Sequence, residues 1–427
     1  MTIEKRHPSR LVAHHVGARG FGVSLNVPDL FRKDIVHVLF EADQDCVDRM
    51  LGNAETAHAK MLSEKLVFPY CVGRRRASAR LNITANSYAS SLYPPNPEFM
   101  KYTCEIPIDA AIYDVTYRDM LEVVREVEVE IHSIDELLAE GRIPEWAWPD
   151  FLSVDTQGFE LEILEGAKRA MSESVLGVVS EVEMLPMYQG QPLFSDILGH
   201  MTRSGFIFAG LTAQFDVSPH RVPIGLRARG FPGFGDALFL RDERTLTEER
   251  FGANRLYVML NKLAFIAVCF ELIEYALQVI DRIRQLRPRV DDEVLSMLKE
   301  SEYSKFLGDL ETAAKYQAER YPPIHAVPND ARVSGDTRTS WYDRHHKRAL
   351  KRAAFRLLPQ KALRAVRKLL DRPFFSNYTA FETILVNSGF TEATKLVRQR
   401  RVRAEAYVKA LSPEMVRDGA LAHLPRT

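Results

Sequence analysis

Cysteine is scarce in this chain. Four residues in 427, Cys46, Cys71, Cys104 and Cys269, follow no CxxC or zinc-ligand spacing. A disulfide scaffold and a zinc site legible from spacing are therefore excluded, and buried free thiols are the expected state. Long hydrophobic runs are missing too. No apolar stretch reaches the ~18 residues of a membrane span, and the opening MTIEKRHPSR is charged, without the apolar core of a signal peptide. The expectation is a cytoplasmic protein. Net charge is also absent, since 57 Lys and Arg balance 57 Asp and Glu. The whole molecule thus carries no electrostatic footprint for nucleic acid, and none is expected as a partner. Finally, there is no GxGxxG, because residues 17–22 read GARGFG.

What is present suits an ordinary globular protein, with 46% hydrophobic and 27% charged residues. LVAHHVGARGFG (11–22) starts apolar and breaks at Gly17, Gly20 and Gly22. IVHVLFEAD (35–43) is a β-rich run ending in Glu41 and Asp43. The helix behind it should place Val47, Met50, Leu51 and Ala54 on one face. LVFPYCVG (66–73) and ASARLNIT (77–84) read as strands, and NSYASSLYPPNPE (86–98) as loop. VEVEIHSIDELLAEG (127–141) reads as a strand and a helix opened by a Ser133/Glu136 capping box.

FLSVDTQGFELEILEGA (151–167) is a strand ending in Asp155, a glycine turn and a helix. VLGVVSEVEML (175–185) is a buried strand that again ends among acids, Glu181 and Glu183. A helix over 193–203 stops at Gly205, and FIFAGL (206–211) and DALFLR (236–241) are further strands. Strands alternating with helices predict an α/β domain over residues 1–245, with a mainly parallel sheet covered on both faces. Apolar residues then recur every three or four positions from Arg255 to Arg284, which predicts one long amphipathic helix, and more helix follows at 291–319. These make a helical extension over 246–325. Residues 326–427 are expected to hold a linker and a basic helical region: 341–372 carries eleven Lys and Arg against Asp343 and Asp371. That segment is a solvated helix face or a contact for an anionic membrane surface or glycan.

The chemistry gathers at strand ends. Ligands of open α/β sheets bind outside the carboxyl ends of the strands. A glycine loop followed about 20 residues later by an acid at the end of the next strand suits an adenosine-type ligand, and Gly20 to Glu41 has that spacing. Without the GxGxxG pyrophosphate fingerprint the pattern leans from NAD toward S-adenosylmethionine, so a nicotinamide oxidoreductase ranks last. Asp155 is placed to meet a ligand, although Asp is also a preferred N-cap. Glu160 and Glu162 read as first-turn acids that suit the helix dipole. No ligand spacing demands a metal, and none is assigned.

In order along the chain, VGARGFG, VLFEAD, SSLYPPN, IDELL, PDFLSVDTQGFELEILEGA and EVEMLPMYQGQPLFSDI resemble the FkbM-type methyltransferases over about residues 11–242. The resemblance implies a class I methyltransferase (Rossmann-like) fold, a seven-stranded sheet whose last strand, DALFLR, is antiparallel. It implies S-adenosylmethionine as cofactor and O-methyl transfer to a hydroxyl of a sugar, glycan or glycosylated metabolite, in a pathway such as polysaccharide biosynthesis. Carried over, Gly17, Ala18 and Gly20 hold the methionine part, Glu41 the ribose, and Asp43 and Val72 lie near the adenine. Asp155 sits by the transfer centre, and Ser90 and Ser91 lie near the acceptor. Asp155 or Glu181 is the catalytic base. The family's usual acid two residues before the first glycine is replaced by His15, which then stands at the cofactor's amino group. The alternative is a catalytically impaired scaffold or binding module in glycan assembly, its helical C-terminal half recruiting partners. A homo-oligomer through the 256–283 stripe competes with plain core packing.

Overall fold

The computed structural model describes residues 9–19, 24–25, 27–52, 62, 64–103, 107–109, 113–116, 120–217, 231–320 and 379–399. Gly20, Gly22, Cys104, the 322–340 linker and the basic 341–372 segment lie outside the described residues. The chain divides into two compact units, Met1–Phe270 with Glu274–Lys305, and Glu271–Ile273 with Phe306–Thr427.

In the first unit β1 (Leu11–Val16), β2 (Ile35–Phe40) and β3 (Glu64–Phe68) open a large sheet. Next come β4 (Cys71–Val72), β5 (Ala77–Thr84), a ribbon of β6 (Pro107–Asp109) and β7 (Tyr113–Thr116), and β8 (Val123–His132). The large sheet resumes with β9 (Phe151–Val154), β10 (Gly177–Glu183), β11 (Phe206–Val217) and β12 (Phe231–Arg241). Its seven strands run β3-β2-β1-β9-β10-β12-β11, while β4-β8-β5 form a separate small sheet. Neighbours from β3 to β10 pair parallel, and β12 is antiparallel to both β10 and β11. The expected α/β fold with a seven-stranded, mostly parallel sheet is present, and DALFLR ends the antiparallel strand.

Strands buried on both faces need near-continuous apolar sequence. β1, β2, β9 and β10 are buried at every position. On one face Val12, Val38, Phe40, Leu152 and Val178 join Leu137, Ile163, Leu164, Ile197 and Met201 of three covering helices in one core. Those helices are Ile134–Ala139, Glu160–Gly166 and Phe194–Arg203. The first begins with the expected capping box, since Ser133 Oγ accepts from Glu136 N and Glu136 Oε2 accepts from Ser133 N. In the helix Gln44–Gly52, Val47 and Met50 are buried as expected, but Leu51 is 58% exposed, and Ala54 lies outside the described residues.

The long helix expected over 255–284 is two helices, Ala253–Cys269 and Ile273–Leu286. The break falls at Glu271, whose φ of 64° leaves the helical region. The first helix is buried without interruption from Leu256 to Val268, as a helix apolar all round must be. It packs on the sheet, with Phe265 against Phe31 (ring centroids 5.0 Å apart) and Lys262 paired to Asp150 at 2.8 Å in a buried setting. Asp150 also accepts Val12 N at 2.9 Å, so one carboxylate ties helix and sheet together.

In the second unit Phe306 meets Phe390, and the helix Ala380–Asn387 starts with a Thr379/Glu382 capping box. Among the described residues no helix is long and apolar enough to cross a membrane.

Candidate functional site

The sheet order reverses between β1 and β9, because β2 and β3 lie on one side and β10 to β12 on the other. Such a switch point opens a crevice at the carboxyl ends of the strands. A cleft of about 670 Å³, open to solvent, lies there. Its walls include Val16 and Gly17 after β1, Phe40 and Glu41 after β2, and Asp155, Thr156 and Gln157 after β9. The small sheet adds Cys71, Val72 and Leu81, and Tyr88 and Ser90 stand on the following turn. Among the sequence-predicted residues, Gly17, Glu41, Val72, Ser90 and Asp155 thus meet on one cleft.

Gly17 is required by space. Its φ is +80°, and a Cβ there would lie 1.8 Å from the Asp155 carbonyl oxygen. The tight turn is held by Gly17 N and Ala18 N, which both donate to Phe40 O at 3.1 and 3.2 Å. Ala18 itself is turned away from the cleft and packs with Leu39, Cys46 and Met50.

His15 is not at the cleft. It is 1% exposed, and its Nε2 lies 3.1 Å from His37 Nδ1, with the two rings stacked at 5.3 Å between centroids. Burial holds both imidazoles neutral: His15 well below its usual pKa, helped by His37, and His37 lowered to about 4. The strand alternation that points Val12 and Val16 one way sends His15 to the other face. The structure does not bring it to the cleft with the other residues assigned to the cofactor. Asp43 is likewise absent from the cleft wall. It accepts Asp45 N at 3.2 Å at the start of the Gln44–Gly52 helix and pairs with Arg19 at 3.2 Å. Its own N–H donates to Glu41 Oε1 at 2.9 Å.

Asp155 is exposed and does not cap the following helix, whose N-cap is Phe159. Gln157 and Gly158 take φ of 61° and 98°, and this left-handed turn carries the site. Gln157 Nε2 donates to Asp155 Oδ1 at 3.0 Å and to Glu181 Oε2 at 2.6 Å. Ser91 is buried; its hydroxyl donates to Gln157 O at 2.7 Å instead of facing an acceptor. The Tyr188 hydroxyl is 2.9 Å from Ala89 O and 3.1 Å from Gln157 Oε1, donating to one of them at a time.

Glu160 departs from the expected solvated first-turn acid. It is 1% exposed, and its Oε1 accepts Thr156 N at 2.7 Å and Gly158 N at 3.1 Å, closing the turn. Glu162 does behave as a surface acid, pairing with Arg74 at 2.8 Å. Burial raises the Glu160 pKa to about 7 and pushes Glu181 and Glu183 well above the carboxylate range, with neighbouring acids adding to the shift. The Cys71 thiol is pushed up to about 12 by burial, so it is no nucleophile at neutral pH.

Sequence reasoning missed Arg19, Gln157 and Tyr88. Arg19 lines the cleft, pairs with Asp43 and stands 3.6 Å from Glu41, and its Nη1 has no hydrogen-bond partner among the described residues. A lone cation inside a glycine loop was the available signal. Gln157 could have been flagged by its place between a strand-end acid and a glycine. Tyr88, 66% exposed on the rim, carries no such mark.

Residues 13–208 match the family model described as Methyltransferase FkbM domain. This part of the chain is similar to methyltransferase FkbM domains. The FkbM match spans β1 to the start of β11 and includes every described cleft residue. Two solved structures resemble the chain. One is the crystal structure of Methyltransferase FkbM from Methylobacillus flagellatus KT, with 14% identity and a TM-score of 0.28, covering 54% of this chain. This chain spans only 44% of that one. The other is magnesium protoporphyrin IX methyltransferase (ChlM) from Synechocystis PCC 6803 with bound SAM, with 9% identity and a TM-score of 0.26, covering 55% of this chain and 71% of that one. No curated protein matches the sequence.

Proposed function

We propose that the chain transfers the methyl group of S-adenosylmethionine to a hydroxyl oxygen of a sugar, glycan or glycosylated metabolite. One observation carries the reading: Gly17, Glu41, Val72 and Asp155 converge on a single cleft at the carboxyl ends of β1, β2 and β9, inside the FkbM match.

The residues present fit the cofactor. Gly17 leaves backbone open where any Cβ would clash. Glu41, at the end of β2, is placed to accept ribose hydroxyls. Tyr70, Cys71, Val72 and Phe159 provide apolar wall for an adenine. Arg19 offers an unpartnered Nη1 to a carboxylate. When bound, the cofactor supplies an electrophilic methyl group. The protein's contribution is orientation, together with a base for the acceptor's hydroxyl proton. Asp155 suits the base better than Glu181. It is exposed at the cleft, with Gln157 Nε2 fixing its Oδ1, whereas Glu181 is buried behind Gln157. Ser90 and Tyr88 stand on the open rim, where an acceptor would enter.

A second reading, an impaired methyltransferase acting as a scaffold, is favoured by one observation. The acid implied before the glycine loop is replaced by His15, and that position faces His37 instead of the cleft. Calorimetric titration with S-adenosylmethionine decides between the two. Micromolar binding that Glu41→Ala abolishes supports the enzyme; a folded protein that binds nothing at millimolar cofactor supports the scaffold.

A further inference from the structure

Beneath the Asp155 loop lies a group of acids that methyl transfer does not use. One carboxylate oxygen each from Glu160, Glu181 and Glu183 lies within 4.8 Å of the others. These residues are 1%, 7% and 1% exposed. Glu160 Oε2 and Glu183 Oε2 are buried and have no hydrogen-bond partner among the described residues. Among the described residues, no Lys or Arg forms an ion pair with any of the three. A buried acceptor without a donor is costly, and more so when charged. Such oxygens are ordinarily matched to something, and with no donor at hand the match is a proton or a cation.

The donor set selects among cations. It is all oxygen, without histidine or cysteine, which is the preference of hard ions and excludes zinc- and copper-type chemistry. The spacing agrees. Calcium–oxygen bonds of ~2.3–2.6 Å allow ligands on opposite sides of one ion to stand up to ~5 Å apart. We propose that Glu160, Glu181 and Glu183 bind one hard divalent cation of the magnesium, manganese or calcium class, with water completing the shell. Two of the three residues hold the active loop. Glu160 Oε1 closes the Thr156–Gly158 turn, and Glu181 holds the Gln157 amide that touches Asp155. The ion therefore stiffens the floor of the cleft. This inference does not rest on the cofactor or the acceptor.

The test is titration of the full chain with Mn²⁺, following the signal of the free ion by electron paramagnetic resonance. One Mn²⁺ per chain, displaced by Ca²⁺ or Mg²⁺, is the expected result. Glu183→Gln should weaken binding at least tenfold while cooperative thermal unfolding is retained. Asp29→Asn, at an exposed acid elsewhere, should leave binding unchanged. If Glu183→Gln fails to fold, Glu181→Gln replaces it with the same expectation. No bound Mn²⁺ at millimolar ion, or binding that these substitutions leave unchanged, overturns the proposal.

Discussion

Two groups of buried titratable side chains flank the switch point of the sheet, and they resolve the same electrostatic problem in opposite ways. On β1 and β2, His15 and His37 stack with their nitrogens 3.1 Å apart. Behind β9 and at the end of β10, Glu160, Glu181 and Glu183 crowd within 4.8 Å. In each group, charging more than one member would set like charges together away from water. The histidines escape by losing protons, after which one ring donates to the other. Neutral acids must instead hold protons near pH 7. The pair keeps one internal hydrogen bond and leaves His15 Nδ1 buried without a partner among the described residues; the cluster leaves two carboxylate oxygens so, Glu160 Oε2 and Glu183 Oε2.

The sharpest way to break this arrangement is where the two groups' strands meet. Asp155 N donates to Val16 O at 3.1 Å, and Gly17 rests on the Asp155 carbonyl. Gly17→Ala combines a positive φ with a backbone clash, so a loss of about 4 kcal/mol is expected in urea unfolding. A cost under about 1 kcal/mol would show that the two strand ends separate easily.

The next effect is pH dependence, and the signs differ. His37 has its pKa lowered from 6.5 to about 4. The unfolded chain then binds more protons between those values, so stability falls as pH drops from 6.5 toward 4, by about 3 kcal/mol. Glu160 has its pKa raised from 4.5 to about 7. The folded chain binds more protons in that window, so its contribution is complete below 4.5 and is lost as pH rises toward 7. The two contributions oppose and largely cancel between pH 4.5 and 6.5, so His37→Asn should expose a fall in unfolding free energy with rising pH across that window. If the pH profile of His37→Asn matches the wild type, His37 does not supply the offsetting slope.

The smallest expected effect separates loop support from chemistry. Ser91→Ala removes the buried hydrogen bond to Gln157 O. A stability loss of about 1 kcal/mol is expected, with methyl transfer falling more than cofactor affinity, because the loop bearing Asp155 loosens. An acceptor affinity that collapses at constant kcat would instead put Ser91 in contact with substrate.

Much of the framework was legible because local rules and tertiary packing agreed. The strand over 77–84 has the bounds that alternation gave, and the Ser133/Glu136 box forms as its spacing requires. Strand-end reasoning also gathered Gly17, Glu41 and Asp155 from 138 residues of sequence separation. Failures came where direction, not position, decides. His15 sits two residues before Gly17, yet strand alternation turns it to the buried face. Glu160 has the spacing of an ordinary first-turn acid, but the left-handed Gln157–Gly158 turn brings backbone N–H groups over its carboxylate. Glu271 breaks a helix without the glycine that would have announced a break. Gln157 and Glu271 take positive φ that their residue types disfavour, and on a strand buried on both faces the direction of His15 leaves no mark in the pattern.

Pairing across the switch point also sets an order in time. β1 is bonded on one side to β2, about two dozen residues away, but on the other to β9, with Ala13 opposite Phe151. During synthesis the first three strands can meet early, since their loops are short. The β9 side must wait until more than eighty further residues have been made, and closing such a loop slows folding. β12 comes later still, yet it fills the slot between β10 and β11. A nascent chain stopped before residue 231 would leave both of those strands with an open edge inviting other chains. Ribosome-stalled fragments should therefore gain protection from proteolysis abruptly, once β12 has emerged, and not in proportion to their length.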